Sequence, residues 1–268
     1  MSIGIKILGN VAPDLTVKKA LQVFRTTTRS PEKEWEREVQ DRCVRGVTSH
    51  GWSYLRWTPN TVKMRVIAIH GWNGRATQFG PLAQELLLHG IETVAMDGPG
   101  HGQSPGHEAD PLVFANALTE VAKELGPFNT VIGHSMGGGA LAIAISRGMM
   151  VDRAIVIASP AHFADVATKF ARWIGLPKRL IPRFLKAVGE ATGVSIEDAN
   201  IVQAARSIHI PGLMIHDHDD EEYGPHNAEE IAYAWAGPSS TLITKGFGHR
   251  RLLREQTVID EIVDFILD

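Results

Sequence analysis

Short runs of β-branched and apolar residues alternate with helix-like segments through most of this chain. The runs lie at residues 64–70, 91–96, 130–133, 154–159, 212–216 and 241–244. Helix-like segments occupy residues 78–89 and 111–125, and others begin at Met136, after Pro225 and at Arg251. Continuous apolar strands separated by helices are typical of a parallel sheet that is buried on both faces. The alternation therefore predicts an α/β fold with a mostly parallel central sheet flanked by helices.

Two segments interrupt this alternation. Residues 1–45 carry an apolar helical pattern from Val17 to Phe24, and then a charged stretch that follows Pro31 at a suitable first helical position. Residues 160–210 form an apolar and basic helical stretch. We expect a helical extension at 1–45, a core formed by 46–159 and 211–268, and a small helical cap or lid inserted at 160–210.

The composition excludes several classes of function. The chain has 268 residues, with 27 basic and 30 acidic side chains, so its formal net charge is −3. Nucleic-acid binding needs a clustered basic surface, for which this balance gives no indication. The single cysteine, Cys43, excludes an intramolecular disulfide and a thiolate zinc cluster. No apolar run approaches the roughly 18 residues of a membrane span, and the N-terminus lacks a signal-peptide pattern. We expect a cytoplasmic protein without stable membrane insertion.

The segment GHSMG (residues 133–137) carries the strongest chemical signal, with a predicted strand before it and a predicted helix after it. A serine in a sharp strand-to-helix turn needs small neighbours, because the strand and the helix pack closely there. The turn presents Ser135 at a helix N-terminus, where free N–H groups favour developing negative charge. This context predicts that Ser135 is a nucleophile.

A serine nucleophile requires a base and an orienting acid, and in this type of site they follow the serine in the order acid, then histidine. His249 lies directly after the last predicted strand, whereas His216, His218 and His226 precede that strand. We therefore predict His249 as the base. The acid should lie just beyond the preceding strand, and strand geometry favours Asp219 or Asp220 without separating them.

The whole pattern resembles the α/β-hydrolase family of serine hydrolases, from about residue 50 to the C-terminus. HGWNG (70–74), MDGPGHGQS (96–104), GHSMGG (133–138) and GFGHR (246–250) are similar to that family's oxyanion loop, glycine turn, nucleophile elbow and histidine loop. Many members place the acid in G-x-x-D, which would make Asp220 the acid. In this chain Asp217 stands where that pattern has glycine, and Asp219, Glu221 and Glu222 are the neighbouring alternatives.

The resemblance also implies an oxyanion hole and a substrate pocket. Backbone N–H groups stabilise the charge that develops on a carbonyl oxygen, and Trp72 and Met136 would supply them. Candidate substrate contacts are Trp72, Phe163, Trp173 and His134, although such turns usually direct the side chain at position 134 away from the substrate. The expected substrate is a small molecule with an uncharged or lipophilic acyl group in an ester, thioester or similar bond, and no cofactor or metal is expected.

Two other classes of function compete with a serine hydrolase. The residues HDHDD (216–220) offer a metal set of His216, His218 and Asp220, suited to zinc hydrolysis. That interpretation leaves GHSMG unexplained. A ligand-binding protein that retains a hydrolase fold is the second alternative, and reaction with a fluorophosphonate probe would distinguish it from an enzyme.

Overall fold

A computed structural model of the chain describes residue 5, residues 9–29, 31–40, 42–193, residue 196 and residues 200–268. Its eight strands are β1 (Val44–Val47), β2 (Ser53–Trp57), β3 (Met64–Ile69), β4 (Ile91–Met96), β5 (Thr130–His134), β6 (Arg153–Ile157), β7 (Gly212–Asp217) and β8 (Ser239–Thr244). Its α-helices are α1 (Pro13–Arg25), α2 (Glu34–Gln40), α3 (Gly80–Leu88), α4 (Pro111–Leu125), α5 (Met136–Ser146), α6 (Phe163–Trp173), α7 (Ile181–Thr192), α8 (Ile201–Ala205), α9 (His226–Ala234), α10 (Gly248–Arg251) and α11 (Gln256–Leu267).

The strands form one sheet in the order β1-β2-β4-β3-β5-β6-β7-β8. From β4 to β8 along this order all neighbouring strands are parallel. At the other end of the order, β1 pairs antiparallel with β2, and β2 pairs antiparallel with β4. The predicted mostly parallel sheet is confirmed. The antiparallel pair was not predicted, because β1 has four residues with no buried position, and β2 has five residues with alternating burial instead of a continuous apolar run.

Helices cover both faces of this sheet, which explains why its central strands are continuously apolar. On one face, α4, α5, α8 and α9 pack on β3–β7 through side chains such as Phe114, Leu141 and Ile231. On the other face, α3 and α11 pack through Leu86 and Ile262. Because the central strands are parallel, their carboxyl ends lie at the same edge of the sheet, where loops can bring distant residues together.

The predicted C-terminal helix is divided in three. The short helix α10 begins at Gly248, a 3₁₀ turn covers Leu252–Arg254, and α11 begins only at Gln256. Leu252 and Leu253 are buried in the turn between the helices. This break allows the residues after β8 to follow the site before α11 returns along the sheet.

A third hydrophobic cluster joins α1 to α6 and α7. Phe24 of α1 lies among the rings of Phe163, Phe170 and Phe184, with centroid separations of 5.8, 4.9 and 5.6 Å. The N-terminal helix thus packs against the predicted cap. We propose that α1, α6 and α7 form one structural unit, which we call the cover. Parts of the two predicted segments lie outside the described residues, namely 1–4, 6–8, 30, 41, 194–195 and 197–199.

In the described part of the chain, no helix has both the length and the apolar character that crossing a membrane requires.

Phe184 offers a test of this cover. Phe184→Ala removes a fully buried ring, and such truncations cost about 3–5 kcal/mol of stability. We expect amide hydrogen exchange in α1, α6 and α7 to become at least about 10²-fold faster, since each 1.4 kcal/mol is tenfold. The control Tyr233→Ala, at a side chain that is 95% exposed, should leave exchange unchanged. Unchanged protection of α1 in Phe184→Ala would contradict a joint cover.

Candidate active site

Ser135 occupies a strained turn between β5 and α5. Its φ is 52° and its ψ is −119°, a backbone conformation that L-residues rarely adopt. A side chain at Gly133 would collide with the carbonyl of Gly137, and one at Gly137 would collide with the carbonyl of Ile69. The two glycines therefore allow the close strand–helix approach that the sequence pattern predicts.

Hydrogen bonds from neighbouring strands hold the turn in place. The N–H of Ser135 donates to the carbonyl of Ile157 at 2.8 Å, and the Ser159 hydroxyl donates to the carbonyl of Ser135 at 2.7 Å. The side chain of Ser135 opens into a cavity above the sheet. The strained residue is thus fixed by the backbone while its hydroxyl remains accessible.

The loop after β3 lies beside this turn. The His70 ring donates from Nδ1 to the carbonyl of Gly71 at 2.7 Å and accepts at Nε2 from the N–H of Gly98 at 2.9 Å. Trp72 and Met136 both line the cavity together with Ser135. Within the described residues, the backbone N–H groups of Trp72 and Met136 donate no hydrogen bond. Both predicted oxyanion donors are therefore available to a ligand.

The structure brings His249 and Asp220 together. The His249 Nδ1 lies 2.8 Å from the Asp220 Oδ2, and Nδ1 is the donor because the carboxylate can only accept. The other oxygen, Oδ1, accepts from the N–H groups of Glu222 at 2.8 Å and Tyr223 at 3.0 Å. Burial alone would raise the pKa of Asp220, but hydrogen bonds from His216 and His249 outweigh it and hold this pKa well below its ordinary value.

The alternative acids occupy different positions. The Asp219 carboxylate turns to the surface and lies 3.0 Å from the Nδ1 of His218. Glu221 is exposed. Glu222 lines the cavity, and its Oε2 lies 3.6 Å from the His249 Nε2. Of these carboxylates, that of Asp220 makes the short contact with the His249 Nδ1.

The residues of the proposed metal set do not converge. His216 is fully buried, and its Nε2 donates both to the carbonyl of Tyr223 at 2.8 Å and to the Asp220 Oδ2 at 3.1 Å. His218 faces solvent beside Asp219. His216 is thus buried whereas His218 is exposed, and the described residues contain no group of three or more ligand-type side chains arranged to hold a metal ion.

A cavity of about 900 Å³ lies over Ser135. Among its lining residues are the predicted contacts Trp72, Phe163 and Trp173. His134 lies outside this lining; its buried ring donates from Nε2 to the carbonyl of His249 at 2.8 Å. The His134 side chain therefore contacts the histidine loop and not the cavity, and we do not propose it as a substrate contact.

Sequence reasoning missed that the N-terminal helix contributes to this cavity. Val23 and Phe24 of α1 line it, as do Tyr223 and Glu222 from the loop after β7. Arg25 at the end of α1 pairs with the buried carboxylate of Asp110 at 3.3 Å, which docks the helix on the core. The apolar spacing of α1 indicates a packed helix but carries no information on which surface it covers.

Known proteins share this fold. The sequence profile described as "Alpha/beta hydrolase family" matches residues 66–255, which is well over half of the chain.

The chain belongs to the alpha/beta hydrolase family.

Its similarity to individual proteins is more limited. It is 34% identical over 109 residues to a serine hydrolase-like protein of Dictyostelium discoideum, covering 38% of this chain and 30% of the relative. It is 33% identical over 143 residues to the non-heme chloroperoxidase of Streptomyces lividans, covering 50% of each. The crystal structure of Paleococcus ferrophilus monoacylglycerol lipase superimposes with a TM-score of 0.64 at 17% identity, covering 81% of this chain and 98% of that one. The chain thus spans half or less of the length of these two sequence relatives.

Buried histidines predict how the stability of the fold depends on pH. Burial, together with the charge of nearby His249, lowers the pKa of His134 to about 3, and burial also lowers the pKa of His70. The folded-state pKa of each lies below the value of about 6.5 for an unfolded chain. Their contribution to stability is therefore complete above about pH 6.5 and declines as the pH falls. We expect Tm to be lower at pH 5 than at pH 7.

His134→Gln should weaken this pH dependence, because the variant has no imidazole to protonate on unfolding. Thermal unfolding followed by circular dichroism at pH 5, 6 and 7 measures it. His218→Gln is the matched control, since the His218 side chain is 65% exposed and should leave the slope unchanged. A Tm independent of pH between 7 and 5 would contradict this account.

Proposed function

We propose that this protein is a serine hydrolase that cleaves an ester or thioester of a largely apolar acyl group. Membership of the alpha/beta hydrolase family supports the general class. The observations that carry the proposal are a strained serine that lines a large cavity, and a histidine that is held at 2.8 Å by a buried carboxylate and contacts His134, the residue before that serine. The nucleophile would be Ser135, the base His249 and the orienting acid Asp220.

The proposed reaction begins with proton transfer from Ser135 to His249. Because the His249 Nδ1 donates to Asp220, its Nε2 is left as the acceptor in the neutral ring. Nε2 takes the hydroxyl proton as Oγ attacks the acyl carbon, and the same nitrogen then donates the proton to the leaving alcohol or thiol. Water repeats the sequence on the acyl-serine and releases the acid.

Negative charge on the carbonyl oxygen would be stabilised by the N–H groups of Trp72 and Met136. Both belong to the cavity lining and neither is engaged in the described part of the chain. Met136 is the first residue of α5, so the helix N-terminus adds a favourable field. Preorganised donors of this kind are worth about 10²–10³-fold in kcat for each donor.

The cavity wall supports an apolar acyl group. Phe24, Phe163, Phe170 and Trp173 contribute aromatic surface, with aliphatic residues of α1, α5 and α6 between them. Burying hydrocarbon against such a wall favours substrate binding by about 0.8 kcal/mol for each methylene. We therefore expect kcat/KM to rise with acyl length until the cavity is filled.

Turnover of p-nitrophenyl esters and acyl thioesters of increasing length tests the proposed function. Ser135→Ala should reduce kcat by about 10⁴-fold or more, because the triad acts as a unit. Folding should be little affected, since only one hydroxyl is lost. Ser146→Ala, which removes an exposed hydroxyl from the same helix, is the matched control and should be fully active. A Ser135→Ala enzyme with wild-type rates would exclude the serine mechanism.

Asparagine substitution separates the acid from its neighbour. Asp220→Asn should lower kcat by about 10²–10⁴-fold, because the variant no longer stabilises the correct tautomer and charge of His249. Asp219→Asn should stay within about tenfold, as expected for a screened surface charge. The opposite ranking would assign the acid to Asp219, and two small effects would mean that neither residue orients the base.

A binding protein on the same fold would behave differently. It would bind acyl compounds without turnover, and its serine would not react with a fluorophosphonate. Covalent labelling that is lost in Ser135→Ala would favour the enzyme.

A further inference from the structure

Asp217, the last residue of β7, is a carboxylate that the proposed chemistry does not use. It is fully buried, with 0% of its surface exposed. Its Oδ1 accepts from the N–H groups of Asp219 and Gly248, both at 2.9 Å. Its Oδ2 accepts from the Thr244 hydroxyl at 2.7 Å and from the N–H of Phe247 at 3.2 Å. Four donors thus occupy the four lone-pair positions of the carboxylate.

These donors come from the two loops that carry the proposed acid and base. Asp219 is adjacent to Asp220 in the loop after β7, and Gly248 is adjacent to His249 in the loop after β8. The carboxylate therefore ties the two loops to each other at positions one residue from the Asp220–His249 pair. Paired residues of β7 and β8 end at Asp217 and Thr244, and the N–H of His218 makes one further backbone hydrogen bond to the carbonyl of Thr244 at 2.8 Å, so past this bond the Asp217 carboxylate connects the two loops.

The electrostatics of Asp217 agree with a tightly held anion. Burial raises the pKa of this carboxyl, but hydrogen bonds from Thr244 and from the N–H groups of Gly248, Asp219 and Phe247 outweigh that effect and lower it. The side chain is ionised at neutral pH, and it lies outside the cavity lining. It can act on the reaction only through the residues that it holds.

This role depends on a side chain that the sequence pattern lacks. In the G-x-x-D pattern that this segment resembles, glycine stands at the position of Asp217. A glycine has no side chain to accept any of the four hydrogen bonds. Gly246 and Gly248 in the histidine loop have φ values of 94° and 66°, a left-handed backbone that glycine adopts readily.

We propose that Asp217 is a positioning residue whose buried carboxylate fixes the separation of Asp220 and His249. This inference rests on the proposed function, because the pair that it positions is the proposed acid and base. A displacement of about 1 Å in such a pair can cost roughly 10²-fold in rate. Asp217 should therefore affect kcat strongly and KM little.

Two substitutions at Asp217 test the proposal by kinetics. Asp217→Ala removes all four acceptor contacts, and we expect kcat to fall by about 10²-fold while KM changes by less than about threefold. Asp217→Asn keeps one acceptor oxygen and can donate to the Thr244 hydroxyl, but it loses the acceptor for the N–H of Phe247, so its kcat should lie about tenfold above that of Asp217→Ala and about tenfold below that of wild type. Asp219→Asn, the adjacent surface carboxylate, is the matched control and should stay within about tenfold of wild type.

Proton NMR of histidine-labelled protein reports directly on the hydrogen bond between His249 and Asp220. A role of Asp217 in overall stability alone would leave this resonance unchanged in a folded variant. The His249 Nδ1–H resonance, shifted downfield by its bond to Asp220, should be present in wild type and Asp219→Asn and lost or broadened in Asp217→Ala. Circular dichroism establishes that each variant is folded. If Asp217→Ala does not fold, the same measurements are made on Asp217→Asn. Wild-type kcat and an unchanged His249 resonance in the folded variant would overturn the proposal.

The same experiment separates this inference from the proposed function. Failure of wild type both to hydrolyse esters and to react with a fluorophosphonate would refute the hydrolase assignment. The resonance of His249 in wild type and in Asp217→Ala would still test whether Asp217 holds the pair. A fully active, folded Asp217→Ala would refute the positioning role alone.

Discussion

The strained conformation of Ser135 is the constraint on which the rest of the site depends. Residues held at positive φ cost about 1–3 kcal/mol and persist only where their surroundings enforce them. Here the N–H of Ser135 donates to the carbonyl of Ile157, and two glycines let α5 approach the sheet. The non-glycine residues with positive φ in the described chain, Asn73, Ser135 and Ala158, all follow parallel strands at the same edge. The rigid sheet thus supports strain where the proposed chemistry occurs.

Much of this arrangement could be predicted from the sequence because strands and elbow have local signals. The alternation of apolar runs and helices indicates the parallel sheet, and GHSMG between a strand and a helix indicates Ser135. His249 was predicted from its place after the last strand, and the structure puts its ring 2.8 Å from Asp220. Strand geometry alone could not choose between Asp219 and Asp220, because one residue along the loop reverses which side chain turns inward.

Features formed by distant segments carried no local signal. The cavity wall includes Phe24 of α1, which lies more than a hundred residues before its partners Phe163 and Phe170. The buried interactions of Asp217 depend equally on the pairing of β7 with β8. The sequence marks Asp217 only as a departure from a pattern, whereas its four hydrogen bonds give that departure a physical meaning.

A crystal structure of the protein after reaction with an alkyl fluorophosphonate tests the central claim most directly. The account predicts phosphorus bonded to the Ser135 Oγ, with its oxygen about 2.7–3.1 Å from the N–H groups of Trp72 and Met136. The alkyl chain should lie against Phe163 and Trp173, and the His249 Nδ1 should still contact Asp220. An adduct on another residue, or a phosphoryl oxygen directed away from both N–H groups, would contradict it.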